Sequence, residues 1–170
     1  MSESLTFTLV GCGSAKRDRA LEEGKLRVKR WPAKDLYTST YFAKKRAYAE
    51  EIEGKWGILS AEHAVLAPGQ RVAPYDTSIT DLTVEEINEL AQQINSRLIE
   101  WFRFENLPVE EIEVLAGKKY LDPLRERDTF SSISVEVSYP FQENDLGGIG
   151  EQMAWLDDRI SARDPVEVDA

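Results

Sequence analysis

Cysteine and histidine are almost missing from this sequence. Cys12 and His63 are the only two among 170 residues. A lone cysteine forms no internal disulfide, and zinc sites built from several cysteines are excluded. With one histidine, any metal site would have to be mostly carboxylate. Long apolar runs are missing too. A membrane-crossing helix needs about 20 apolar residues, and the longest runs here are a few. The first residues, Met-Ser-Glu-Ser-Leu, lack the basic start and apolar stretch of a signal peptide. These absences lead us to expect a soluble cytoplasmic protein with no membrane partner.

Apolar side chains make up 42% of the chain and charged ones 31%. At this length that is enough for one well-buried core without a covalent staple. We expect a single domain over residues 1–163 and a frayed acidic tail over 164–170.

The net charge is −10, a poor starting point for a nucleic-acid binder. The total hides a split. Residues 1–46 hold 11 basic and 5 acidic residues, a net +6, and residues 47–170 hold 10 and 26, a net −16. A basic N-terminal block on an acidic body can build a local positive surface for DNA or RNA. It can equally be an ordinary solvated face.

Short apolar runs alternate with helical periodicity. Leu5–Val10, Trp56–Ser60, Ile112–Ala116 and Ile133–Val137 read as strands. Ser39 or Thr40 can cap a helix carrying Tyr41, Phe42, Tyr48, Ala49 and Ile52 on one face, and Gly54 can stop it. Thr83 and Glu86 form a capping-box pattern. It opens a helix over about 83–103 with Val84, Ile87, Leu90, Ala91, Ile94, Leu98, Trp101 and Phe102 at spacings of three and four. Lys119–Arg127 reads as a short helix with Pro123 in its first turn. Ile149, Met153, Leu156 and Ile160 mark a last amphipathic helix. Residues 14–35 and 61–81 read as long loops. This order predicts an α/β fold: three layers, α/β/α, around a four-stranded, mostly parallel sheet.

Ligands of such sheets bind beyond the carboxyl ends of the strands. The segments there are Gly11-Cys12-Gly13-Ser14-Ala15-Lys16, Ser60-Ala61-Glu62-His63, Ala116-Gly117-Lys118-Lys119-Tyr120 and Ser138-Tyr139-Pro140. They bring together the only cysteine, the only histidine and three of the nine lysines. Gly11 and Gly13 allow close backbone approach, and Lys16 adds charge for an anion or nucleotide. The Gly-x4-Gly-Lys-Ser/Thr and Gly-x-Gly-x-x-Gly fingerprints are both missing, so no cofactor is indicated. Cys12 reads either as a small buried strand-end residue or as a reactive thiolate favoured by Lys16 and nearby N–H dipoles. His63 reads as a general acid or base, or as a loop residue bonded to backbone. Tyr75 and Asp76 can fold back over the same edge. Trp31, Tyr37, Tyr41, Tyr75, Tyr120 and Tyr139 lie in or beside the loops, where aromatics mixed with cations can stack bases.

Six segments together carry a resemblance: Val10–Lys16, Pro32–Ser39, Trp56–His63, Pro74–Asp76, Leu115–Gly117 with Tyr120, and Gly148–Leu156. The set, covering about residues 5–156, resembles small archaeal, bacterial and phage proteins related to YaaA. More distantly it is similar to the lysine-transferring domain of archaeosine synthase. The resemblance implies the fold of uracil-DNA glycosylases, with a four-stranded parallel sheet. It also implies association with DNA or RNA, and possible transferase-like modification of a nucleobase. Cys12 and Lys16 keep the Cys-to-Lys spacing of that domain, and Tyr37 and Ser39 resemble its Tyr–Ser element. The candidate catalytic residues are therefore Cys12, Lys16 and His63. The candidate ligand-binding residues are Gly11, Gly13, Ser14, Tyr37, Ser39, Ser60, Tyr75, Asp76, Gly117, Lys118 and Tyr120.

Overall fold

The computed structural model describes residues 5–51 and 55–163. The expectations placed on Ile52, Gly54 and residues 164–170 lie outside them. The strands are β1 (Leu5–Gly11), β2 (Trp31–Pro32), β3 (Trp56–Ser60), β4 (Ala64–Leu66), β5 (Arg71–Val72), β6 (Val109–Leu115) and β7 (Glu136–Ser138). The helices are α1 (Ala33–Leu36), α2 (Thr40–Glu51), α3 (Val84–Phe104), α4 (Lys118–Arg125), α5 (Pro140–Glu143) and α6 (Ile149–Arg163).

The main sheet has the order β4-β3-β1-β6-β7. The four expected strands β3, β1, β6 and β7 pair in parallel. A fifth, β4, closes one edge antiparallel to β3. Strand β1 is central. Val10 stands level with Ile58 on one side and Leu115 on the other, so three carboxyl ends finish together.

Side chains of the sheet alternate between two cores, as period-two strands require. Phe7, Leu9, Leu59, Ile112 and Val114 pack against Leu90, Ile94 and Leu98 of α3 and Leu121 and Leu124 of α4. Val10, Ile58 and Leu115 face the opposite way, onto Phe42, Tyr48 and Ala49 of α2, Phe141 of α5 and Leu156 of α6. Helices thus cover both faces, giving the three layers. Among the described residues no helix is long and apolar enough to cross a membrane.

The caps explain where helices begin. Ser39 Oγ accepts the N–H of Phe42 at 3.0 Å and opens α2. Thr83 and Glu86 exchange both bonds of a capping box and open α3. Some boundaries differ from the sequence reading. The two long loops contain structure: β2 and α1 in the first, β4, β5 and a 3-10 turn over Ile79–Asp81 in the second. Each piece spans four residues or fewer, too short for a hydrophobic period to register. Strand β7 starts at Glu136, because Ile133 is buried in a preceding turn. Pro123 is the sixth residue of α4, one turn later than expected. Val84 is 65% exposed, so the first residue of α3 stays outside the buried face that begins further along the helix.

Ile94 and Leu98 are fully buried in the core of the first face. Truncating either to Ala is expected to cost about 2–5 kcal/mol through lost burial and the cavity left behind. Val84→Ala should change stability by less than about 0.5 kcal/mol. Urea unfolding of the three variants checks the assignment of the buried face.

Candidate functional site

The site forms where β1 runs out. A Cβ on Gly11 would lie 2.9 Å from Cβ of Ala116, so glycine is what lets the ends of β1 and β6 approach. The chain then leaves the sheet at Cys12, whose N–H still bonds the Leu59 carbonyl. Gly13 passes Ser39, whose Oγ a Cβ at Gly13 would meet at 3.3 Å. Lys16 forms an isolated bridge to Tyr37.

Tyr75 is the hub. Its hydroxyl lies 2.5 Å from Tyr37 Oη, 2.7 Å from Ser60 Oγ and 3.8 Å from Cys12 Sγ. The proton directions follow from Ser60. Its oxygen already accepts the backbone N–H groups of Glu62 and His63, so its own proton goes to Tyr75. Tyr75 then has one proton to give, and Tyr37 Oη and the Cys12 sulfur are the acceptors within its reach. Burial pushes the Tyr37 and Tyr75 phenols up from their ordinary value, with the charge of Cys12 as a further cause. Both stay protonated.

Two lysines flank this network. The Lys16 ammonium sits 4.4 Å from the centre of the Tyr75 ring and 5.8 Å from that of Tyr37. Lys45 approaches from α2. Only 2% of it is exposed, and it donates to the Gly11 carbonyl at 2.6 Å over the Tyr41 ring. Burial lowers Lys45 from 10.5 to about 7, and the charge of Cys12 opposes part of that fall. The imidazole of His63 meets the Tyr75 ring edge-on at 5.2 Å. Burial lowers His63 from its ordinary value, against the pull of Glu62, so the ring is neutral at physiological pH.

Beside the network lies a recess of about 150 Å³, lined in part by Cys12, Gly13, Ser14, Lys16, Asp76 and Tyr120. Six of the fourteen expected site residues therefore border one cavity. Tyr37, Ser60 and Tyr75 support it from behind. Ser39 caps α2 beside Gly13, Gly11 anchors the strand end, and His63 packs on Tyr75. The other two lie apart from the recess wall: Gly117 is the N-cap residue of α4, and Lys118 is exposed in its first turn. The sequence reading missed Lys45. It sits four residues after Tyr41 and three before Tyr48, inside the apolar stripe of α2, and a lysine in such a stripe is the signal that could have found it.

Part of the basic block is neutralised. Lys25, Arg27, Lys44 and Arg46 pair with carboxylates. Arg17 and Lys29 instead lie over the Trp31 ring at 4.3 and 4.1 Å, and Arg71 donates to the Arg30 carbonyl. Among the described residues no carboxylate pairs with Lys16, Arg17, Lys29, Arg30 or Arg71, and of these Lys16 borders the recess.

The model of a family of unknown function, DUF6884, matches residues 7–158. Among solved structures, one entitled "Crystal structure of AF0587, a protein of unknown function" is similar at 14% identity with a TM-score of 0.42. The likeness covers 98% of this chain and 45% of that one, so the chain spans less than half its length. No curated protein matches the chain.

Lys45 has a measurable signature. Between about pH 7 and 10.5 the unfolded chain holds a proton on Lys45 that the folded chain does not. Stability contributed at this position therefore rises with pH across that window. Lys45→Met should remove the rise: wild type should gain on the variant between pH 6.5 and 9 in urea unfolding.

Proposed function

The chain belongs to DUF6884, a family of unknown function, and we propose that it is a nucleic-acid-associated protein that holds a nucleobase or nucleotide at its carboxyl-edge recess and modifies it through Cys12. The carrying observation is the Cys12 sulfur at the wall of a small recess, backed by the Tyr75 hydroxyl and faced by Lys16. At about 150 Å³ the recess is smaller than the roughly 300–1,000 Å³ of a whole-ligand pocket. It suits one ring system, with sugar and phosphate left outside. Lys16 at the recess, with the cations Arg17, Lys29 and Arg30 that no carboxylate neutralises among the described residues, supports contact with phosphates.

In this reading the Cys12 sulfur adds to an electrophilic ring carbon of the base, the C=N π pair moves onto the ring nitrogen, and that nitrogen takes up the proton released by the thiol. Tyr75 hydrogen-bonds the sulfur and steadies its charge. Lys16 faces ligand oxygens, and neutral His63 is the candidate base next to the network. The Cys12–Lys16 spacing, which resembles that of the lysine-transferring domain of archaeosine synthase, favours a transferase-like step. YaaA-type binding to DNA or RNA without chemistry is the second reading. It rests on the cationic ridge and needs nothing from Cys12. A small-ligand protein without chemistry would use the recess alone.

Iodoacetamide should alkylate Cys12 in the folded protein faster than a free thiol, and Lys16→Ala should slow it. Slow alkylation unchanged by Lys16→Ala would favour binding without chemistry. Oligonucleotide affinity should fall by tens of fold between about 50 and 200 mM salt if some four phosphates are contacted. Arg17→Glu with Lys29→Glu should weaken it, and Cys12→Ala should leave it intact. Binding indifferent to salt and to both charge reversals would remove nucleic acid from the proposal.

A further inference from the structure

Lys45 is a buried titratable group that the chemistry above leaves unused. It stands on α2 between Tyr41 and Tyr48, and only 2% of it is exposed. Lysine is almost never buried this deeply without a partner, because burial strips the hydration from its charge. Its partner is the Gly11 carbonyl at 2.6 Å, with the Tyr41 ring 3.9 Å from its nitrogen.

That carbonyl belongs to the peptide that carries Cys12. The N–H of the same peptide donates to the Leu59 carbonyl of β3 at 3.3 Å. In a trans peptide the C=O and N–H point in opposite directions. The last pair of β1 with β6 is Val10 with Leu115, so the peptide lies past the end of that pairing. Lys45 holds one edge of its plane from α2, and Leu59 holds the other from β3. Cys12 is thereby fixed on the recess wall, its sulfur 3.8 Å from the Tyr75 hydroxyl.

Charge couples the same two residues. Burial lowers Lys45 to about 7, and the charge of Cys12 pulls the other way. An ammonium at Lys45 and a thiolate at Cys12 therefore steady each other, and linkage makes the effect reciprocal. Among the described residues no carboxylate pairs with Lys45. Asp157 of α6 holds Lys44, Asp35 and Glu50 hold Arg46, and Glu113 of β6 accepts the Tyr48 hydroxyl. Burial raises the Tyr41 phenol, so it stays neutral, and it donates to Gln152 of α6.

We propose that Lys45 is a positioning residue for Cys12, holding the peptide that bears the nucleophile and setting a positive charge near its sulfur. The proposal rests on the reading of Cys12 as nucleophile and gives that site a pH-sensitive element. Below about pH 7 Lys45 supplies both the hydrogen bond and the charge. Above it, the neutral amine still donates to Gly11 but the charge is gone.

The test is the rate of iodoacetamide alkylation of Cys12 from about pH 6 to 9 in wild type, Lys45→Met and Lys45→Arg. Lys45→Met should be slower than wild type by about tenfold at the acid end and by about threefold or less at the alkaline end. A merely structural loss would lower the rate by one factor at every pH. Lys45→Arg keeps donor and charge and should recover the acid-side rate. Fast alkylation in wild type with Lys45→Met equal to it, or slower by the same factor throughout, would overturn the proposal alone. Cys12→Ala reads the pair from the other side and leaves the buried lysine in place, should the Lys45 variants fail to fold. Without the cysteine, the rise of stability with pH should begin at a lower pH than in wild type, and an unmoved onset would overturn the proposal. A wild-type Cys12 no faster than a free thiol at any pH would overturn the nucleophile reading, and the proposal with it.

Discussion

Parallel pairing on both edges of β1 is the constraint from which the rest of the molecule follows. Thr8 to Gly11 run level with Trp56 to Leu59, and Phe7 to Val10 with Ile112 to Leu115. Three consecutive carboxyl ends therefore release their loops at one edge. Residues 12–16, 61–63 and 117–120 have no other direction in which to leave. Gly11 tightens this arrangement, since the 2.9 Å approach of Ala116 admits no side chain there. A recess forms because the strands stop together while their loops diverge.

Two of the fold's unfavourably buried polar groups stand near the strand ends. Lys45 gives up hydration for one carbonyl and the face of one ring. That exchange falls short, which is why its proton is held only to about pH 7. The Tyr120 hydroxyl is buried with nothing to bond. The first-face core, from Phe7 to Ile133, is built of apolar side chains, and Trp101 packed against it carries another buried N–H without a partner among the described residues. Lys45 and Tyr120 are thus polar groups that the fold carries at a cost to its own stability.

The architecture was legible because its signals are long. Strands with four or more buried residues, the 21-residue period of α3 and its capping box each exceed the noise of composition. From alternation alone the strand ends converge, and Cys12, Gly13, Ser14, Lys16, Asp76 and Tyr120 do meet. What stayed hidden is short or depends on distant partners. Strand β4 has three residues, and β2 and β5 have two each, paired across forty positions. Lys45 went unnoticed because charge normally marks the solvent face of a helix, and only tertiary packing reverses that here. Lys118 shares its segment with Tyr120, but helical residues two apart point about 200° around the axis from one another, so one borders the recess and the other the solvent.

Charge gives the site its direction. The N-terminal excess looked diffuse in sequence, but folding divides it. Some cations are neutralised by Glu22, Asp35, Glu50 and Asp157. Arg17 and Lys29 are instead held over Trp31, which fixes their positions without cancelling their charge. Aromatic rings hold Lys16 in the same way at the mouth of the recess. An indole or phenol restrains a cation and leaves its field intact, whereas a carboxylate would extinguish it. Lys16, bordering the recess beside Cys12, is thus a cation whose charge no carboxylate cancels among the described residues. For the proposed ligand it is the residue that joins charge to cavity, facing the oxygens of a ring seated there.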